Sequence, residues 1–174
     1  LFPFGEFVPW RAWTGRWVNA GMGVALQDTS RGPGEAEPLR VGGGYRAAVA
    51  VCFEAAFGNA WRDQAAAADL LVNVSSDGSI VSPQVSRQFL QMTQTRALEF
   101  QKPLLRSSDV NGSYAIDHRG RVIDALPPRS ASALDVAVET RVGMTPYARF
   151  GDALPLALAA LGLAPGEKVP MLST

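Results

Sequence analysis

Few residues in this chain could do covalent chemistry. Its single cysteine, Cys52, closes an apolar run, "AAVAVCFE", and Glu54 follows two residues on. A free thiol titrates at about 8.5, so nucleophilic work at neutral pH needs a base or a cationic neighbour. A cysteine between a strand end and a helix start lies where helix N-terminal amides could stabilise a thiolate or an oxyanion. Glu54 shares its side of the chain if the extended conformation persists. On the residues alone two readings stand together, a nucleophile or a small residue filling the core. The one histidine, His118, sits in a predicted hairpin turn, either as the partner of a Cys–His dyad or as a solvated turn residue.

Other chemistries are excluded more simply. Sixteen basic residues balance sixteen acidic ones, and only Lys102 and Lys168 are lysines, so the chain is not a general nucleic-acid binder. One cysteine rules out an internal disulfide framework and a cysteine-rich zinc site. No metal-ligand spacing occurs, and no cofactor is implied. The cluster "VGGGY" lacks the flanking strand, Lys and Ser/Thr of a phosphate loop and reads as a turn.

These residues need elements to position them. At 174 residues, 47% hydrophobic and 18% charged, the chain is one domain or a piece of a larger one. "LFPFGEFVPW" opens without an initiator Met or a charged leader, as if part of the protein lay upstream. It reads as a strand end and a Pro/Gly loop carrying Glu6. Trp10, Trp13 and Trp17 then fall at i, i+3 and i+7 beside Arg11 and Arg16. That face fits either a core or a segment lying at a membrane surface. A Gly/Pro-rich loop and a weak strand pair lead to a strand at 45–51, followed by a helix within 57–69. Leu70–Val74 is a continuous apolar strand of the doubly covered kind. Residues 83–101 form the clearest helix, stacking Phe89, Met92, Thr93, Ala97 and Phe100 along one side before Pro103 stops it. "LLRSS" is a strand, "NGSYAIDHRGRVIDAL" a hairpin around an Asp-His-Arg-Gly turn, and "ALDVAVET" a further alternating strand. The order predicts an α/β layered domain. The closing run "ALPLALAALGLA" is too short for a bilayer span of about 20 residues, and reads as a buried or interfacial helix.

Taken in order, "LFPFGEFVP", "AVCFE", "DLLVNVSSD", "RQFLQMTQTRALEFQKPLLRSS", "NGSYAID" and "GMTPYARFGD" resemble the nitrilase-type domain of the apolipoprotein N-acyltransferase family. The likeness covers residues 1 to about 155. It implies residues 1–152 as the C-terminal part of a carbon-nitrogen hydrolase domain, a partial αββα nitrilase-like sandwich. Residues 153–174 would be an apolar segment and tail, a shortened last membrane helix. The implied activity is a two-step acyl transfer without a cofactor. A cysteine thiolate takes the sn-1 acyl chain of a phospholipid as a thioester. The N-terminal amine of a diacylglyceryl-cysteine lipoprotein then accepts it. The implied location is the outer face of the bacterial cytoplasmic membrane. By the same resemblance Cys52 is the nucleophile, Glu54 a positioning group, and Glu6 a second active-site glutamate. The tryptophan face then falls in an arm near the bilayer.

The chain departs from the family at several places. The family's general-base Glu and its Lys would both precede Leu1, so this chain alone is expected to be inactive. A family Asn-Asp-Ala-Trp-Phe segment reads "SSDGSIV" here, keeping only Asp77, and Phe53 replaces a Tyr. Two other functions therefore remain in view: a soluble carbon–nitrogen hydrolase using the same cysteine, and a degenerate domain that binds lipid or a partner without catalysis.

Overall fold

The computed structural model describes residues 37–77 and 82–162. Among them a six-stranded mixed sheet runs in chain order: β1 (Leu39–Arg40), β2 (Arg46–Val51), β3 (Leu70–Ser75), β4 (Leu104–Ser108), β5 (Ser113–Ile116) and β6 (Val122–Leu126). β2, β3 and β4 are parallel, and the other neighbours are antiparallel. The parallel strands require crossovers. Helix α1 (Gly58–Ala66) makes the first and α2 (Pro83–Phe100) the second. "VGGGY" is the expected turn, with Gly43 and Gly44 at φ of 73° and 81°, joining β1 to β2.

Register explains the core. One row across the sheet aligns Ala48, Leu71, Leu104 and Ile116, all fully buried. Trp61 and Ala65 of α1 and Ala97 and Phe100 of α2 pack on the same cluster, with the Trp61 and Phe100 rings edge-to-face at 6.5 Å. Small residues at Ala48, Ala65 and Ala97 allow the helices to approach the sheet closely. Met92, predicted to share the buried stripe of α2, is only half-buried. Phe89, Thr93, Ala97 and Phe100 carry that face, and the Thr93 hydroxyl returns its hydrogen bond to the Phe89 and Leu90 carbonyls.

α2 starts on Pro83, where a missing N–H costs nothing, and ends with Gln101 in the left-handed region at φ 53°. There the Gln101 N–H donates to the Leu98 carbonyl and the Lys102 N–H to the Ala97 carbonyl, a Schellman ending without glycine. This throws Lys102 into the interior. Its ammonium donates to the Ala65 carbonyl at 2.7 Å, to Ala66 at 3.3 Å and also to Ala68, closing the C-terminal end of α1.

Two expectations change. Residues 133–140 keep the predicted alternation, Leu134, Val136 and Val138 being half-buried between exposed neighbours, yet pair with no strand among the described residues. Alternation reports a half-buried extended segment, and pairing needs a free sheet edge as well. The C-terminal run forms α4 (Ala153–Ala160), which is exposed along its length and not buried as one reading had it. Among the described residues no helix is long and apolar enough to cross a membrane. "TPYARFGD" forms α3 (Pro146–Phe150), capped by the Thr145 hydroxyl.

Candidate active site

The parallel strands place their C-terminal ends at one edge of the molecule, where α/β sheets present ligand sites. Cys52 lies there. It follows β2 directly, with φ of +52°. A non-glycine residue in the left-handed region costs about 1–2 kcal/mol, and such strain collects where geometry matters more than comfort. The chain then turns through a single 3-10 segment, Cys52–Ala56, before α1 begins at Gly58. The Val51 N–H donates to Glu54 Oε2 at 2.8 Å, so this carboxylate clamps the elbow from the far side of the turn. Phe53 anchors the turn against Phe57 and Phe89, each edge-to-face at 5.7 Å.

Beneath the elbow the core row changes character. The row after Ala48–Leu71–Leu104–Ile116 aligns Ala50, Asn73, Arg106 and Tyr114. Asn73 is wholly buried, and its amide nitrogen donates to the carbonyls of Ala50 at 3.0 Å and Cys52 at 3.1 Å. Its amide oxygen accepts from Arg106 Nη1. Arg106 Nη2 meets Asp77 Oδ2 at 2.6 Å, with the two side chains 1% and 2% exposed. Asp77 also accepts from the hydroxyls of Ser75 and Ser108, and the guanidinium lies 4.9 Å from the Phe89 ring centre. Burial pulls the Arg106 guanidinium below its ordinary range, against the opposing pull of Asp77, Cys52 and Tyr114.

Cys52 and Glu54 come together at the elbow, although Glu54 does so through the turn and not along an extended strand. Asp77, the residue kept in "SSDGSIV", is the counter-ion of Arg106. Glu6 and the tryptophan face lie outside the described residues. His118 occupies the turn beyond Ile116, which pairs with Leu104 at the N-terminal end of β4. That is the opposite end of the parallel strands from Cys52, so the topology rejects the Cys–His dyad. Lys102 lies at the same remote end. Asn73 and Arg106 escaped sequence reading, Asn73 inside a run read as apolar and Arg106 inside "LLRSS", read only as a strand. The available signal was their inward parity, since a buried polar side chain must be partnered. Among the described residues no cluster of His, Cys, Asp and Glu could hold a metal.

The sheet order and elbow define a mixed α/β domain built around a cysteine on a strained strand-to-helix turn. Residues 6–147 match the carbon-nitrogen hydrolase family, and the chain belongs to that family. It is 38% identical over 170 residues to the apolipoprotein N-acyltransferase of Nitrosomonas europaea, covering 96% of this chain and 33% of the relative. It is 36% identical to that of Bordetella bronchiseptica over 168 residues, 92% of this chain and 30% of the relative. The chain therefore spans about a third of the length of these relatives. Among solved structures, a carbon-nitrogen hydrolase from Helicobacter pylori superposes with a TM-score of 0.49 at 14% identity, over 60% of this chain and 43% of that one. An amidase from Nesterenkonia superposes with a TM-score of 0.44 at 21% identity, over 55% and 39%.

Proposed function

We propose that this chain is the nucleophile-bearing part of an acyltransferase that moves an sn-1 acyl chain from a phospholipid to the N-terminal amine of a diacylglyceryl-cysteine lipoprotein. The observation that carries the proposal is the left-handed elbow at Cys52, set within a chain alike over nearly its whole length to enzymes of that name. In the first half-reaction the Cys52 thiolate attacks the ester carbonyl. A C–S bond forms, the C–O bond breaks, and the departing oxygen takes a proton to become the lysophospholipid hydroxyl. In the second, the lipoprotein amine attacks the thioester, the C–N bond forms, and the thiolate leaves while the nitrogen loses a proton to a base. Glu54 holds the elbow, and Glu6 steers the amine and shares its protons. The general-base Glu and the Lys come from outside this chain, so residues 1–174 alone do not turn over.

The reaction belongs at the outer face of the bacterial cytoplasmic membrane, where both substrates are anchored. The leucines of α4, exposed at 39% for Leu154 and 67% for Leu156, suit such a surface. The test uses the full-length protein in membranes, wild type beside Cys52→Ala, supplied with phospholipid carrying a labelled sn-1 chain. A hydroxylamine-labile label on wild type alone is expected. No label on either protein, both folded, sinks the proposal and leaves amide hydrolysis or a non-catalytic role.

A further inference from the structure

The polar row under the elbow is costly and local. Burying an arginine–aspartate pair in an otherwise apolar core carries a desolvation penalty that well-packed hydrophobic residues would avoid. The neighbouring row, Ala48–Leu71–Leu104–Ile116, shows that this sheet packs well without polar groups. Yet Asn73, Arg106 and Asp77 are all buried, and each makes hydrogen bonds within the network.

We propose that Asn73 and Arg106 are positioning residues for Cys52, with Asp77 fixing the arginine. The inference rests on the acyltransferase reading for its substrate, though not for its geometry. Asn73 grips the carbonyls of Ala50 and Cys52, on both sides of the residue that leads into the elbow. Holding the Cys52 carbonyl inward sets the orientation of the whole 52–53 peptide unit. Because a trans peptide directs its C=O and N–H oppositely, the Phe53 N–H is turned away from Asn73. The same grip keeps Cys52 left-handed and so fixes the direction in which its sulfur leaves the backbone. An amide can bind either way round. Arg106 removes that freedom, since a guanidinium donates only and so requires the Asn73 oxygen, leaving the NH2 group for the elbow. Asp77 takes the other arm of the guanidinium at 2.6 Å and is itself held by Ser75 and Ser108. The chain of bonds therefore runs from the nucleophile's carbonyl to the loop that follows β3.

Two near-isosteric variants test this in the full-length protein. Asn73→Asp keeps an acceptor for Arg106 and replaces the NH2 donor with an oxygen that faces two carbonyls. Arg106→Lys keeps the charge, but a point donor cannot bridge Asn73 and Asp77 as a planar fork does. Two readouts are taken. One is the rate at which iodoacetamide alkylates Cys52 at pH 7, followed by peptide mass spectrometry. The other is thioacyl formation from sn-1-labelled phospholipid, with kcat and KM separated. Each variant is expected to lose about 10–100-fold in kcat, as a small misplacement of a reacting atom does, with KM for phospholipid within about threefold. Alkylation should fall alongside kcat. If either variant does not accumulate, Asp77→Asn carries the test. It leaves Arg106 an oxygen, and the expected loss is about 3–10-fold.

Folded variants that alkylate and acylate at wild-type rates overturn the proposal. So does a loss confined to KM, or one that only tracks the folded fraction. Variants slowed in alkylation while even wild type forms no thioester leave the positioning role standing and remove the acyltransferase reading. A wild-type thioester with unaffected variants does the reverse.

Discussion

At Cys52 a left-handed backbone and the chain's only thiol coincide, and this makes the elbow testable without any substrate. Glycine alone occupies that conformation freely, so Cys52→Gly should relieve the strain that Cys52→Ala retains. Chemical denaturation should show the glycine variant more stable than the alanine variant by about 0.5–1 kcal/mol, although glycine lowers stability almost everywhere else. Glu54 allows a second distinction. Its carboxylate accepts the Val51 N–H, a job that an amide oxygen does nearly as well. Glu54→Gln should therefore keep thioacyl formation within about threefold of wild type, whereas Glu54→Ala should lose about tenfold or more. Equal losses in both would mean that Glu54 moves a proton and does not only clamp. The sequence set Glu54 two residues beyond Cys52 on an extended chain; the i, i+3 link between Val51 and Glu54 was not legible, because it exists only once the 3-10 turn has formed. Asn73 and Arg106 were hidden differently: Asn73 is one polar letter in an apolar run and Arg106 opens the polar half of "LLRSS", and the parity of each matters only after the register is known.

The elements around the site hold each other through polar ends buried in the core. Lys102 ties α2 to α1, its ammonium donating to three carbonyls at the C-terminal end of that helix. Burial lowers its pKa, opposed by Asp69, so its charge is already under strain and the hydrogen bonds hold it in place. Lys102→Met should cost about 2–4 kcal/mol in denaturant unfolding, because the carbonyls lose their donor. Thioacyl formation per folded molecule should stay unchanged. The motif "TPYARFGD" also links α1 and α2, through more exposed hydrogen bonds. The Thr145 hydroxyl donates to the Glu99 carbonyl at 2.6 Å, Tyr147 to Asp152 at 3.1 Å, and Asn59 of α1 exchanges hydrogen bonds with Asp152. A Cβ at Gly58 would collide with the Arg96 and Tyr147 side chains, so α1 is seated on this motif at its first residue. Glu99 lies in the seat, and burial raises its pKa above the ordinary 4.5 despite Arg96 at 3.1 Å. A raised carboxyl stabilises the fold while protonated, and that contribution is lost as pH rises through the shifted value. Thermal unfolding from pH 4.5 upward should show this decline in wild type and a flatter profile in Glu99→Gln. Helices and hairpin were legible because period and turn chemistry are local. The segment at 133–140, which pairs with no strand among the described residues, shows that alternation is local while pairing is not.

Across the whole molecule the sheet has two apolar faces, only one of which the described helices cover. Ala48, Ala50, Leu71 and Leu104 point to α1 and α2, while Val49, Val51, Val72, Val74 and Leu105 point the other way. Val51 and Val74 are 56% and 40% exposed, and they pair across β2 and β3 beside the elbow. Strands apolar on both faces belong inside layered structures, and the continuous run Leu70–Val74 had already suggested double cover. The chain amounts to about a third of its relatives' length, and those relatives hold ample further protein to supply a second layer. Under the proposed function such a layer would also carry the general base and lysine to Cys52 from the side opposite the helices. The full-length protein can report on this directly. In a Cys52→Ala background, a cysteine introduced by Val74→Cys should react with a soluble maleimide about 100-fold more slowly than one introduced by Asp124→Cys on the exposed strand β6. Denaturant should abolish the difference. Equal rates in the native protein would mean that the second face stays open, and the groups that complete the site would then have to arrive over the rim of the sheet instead.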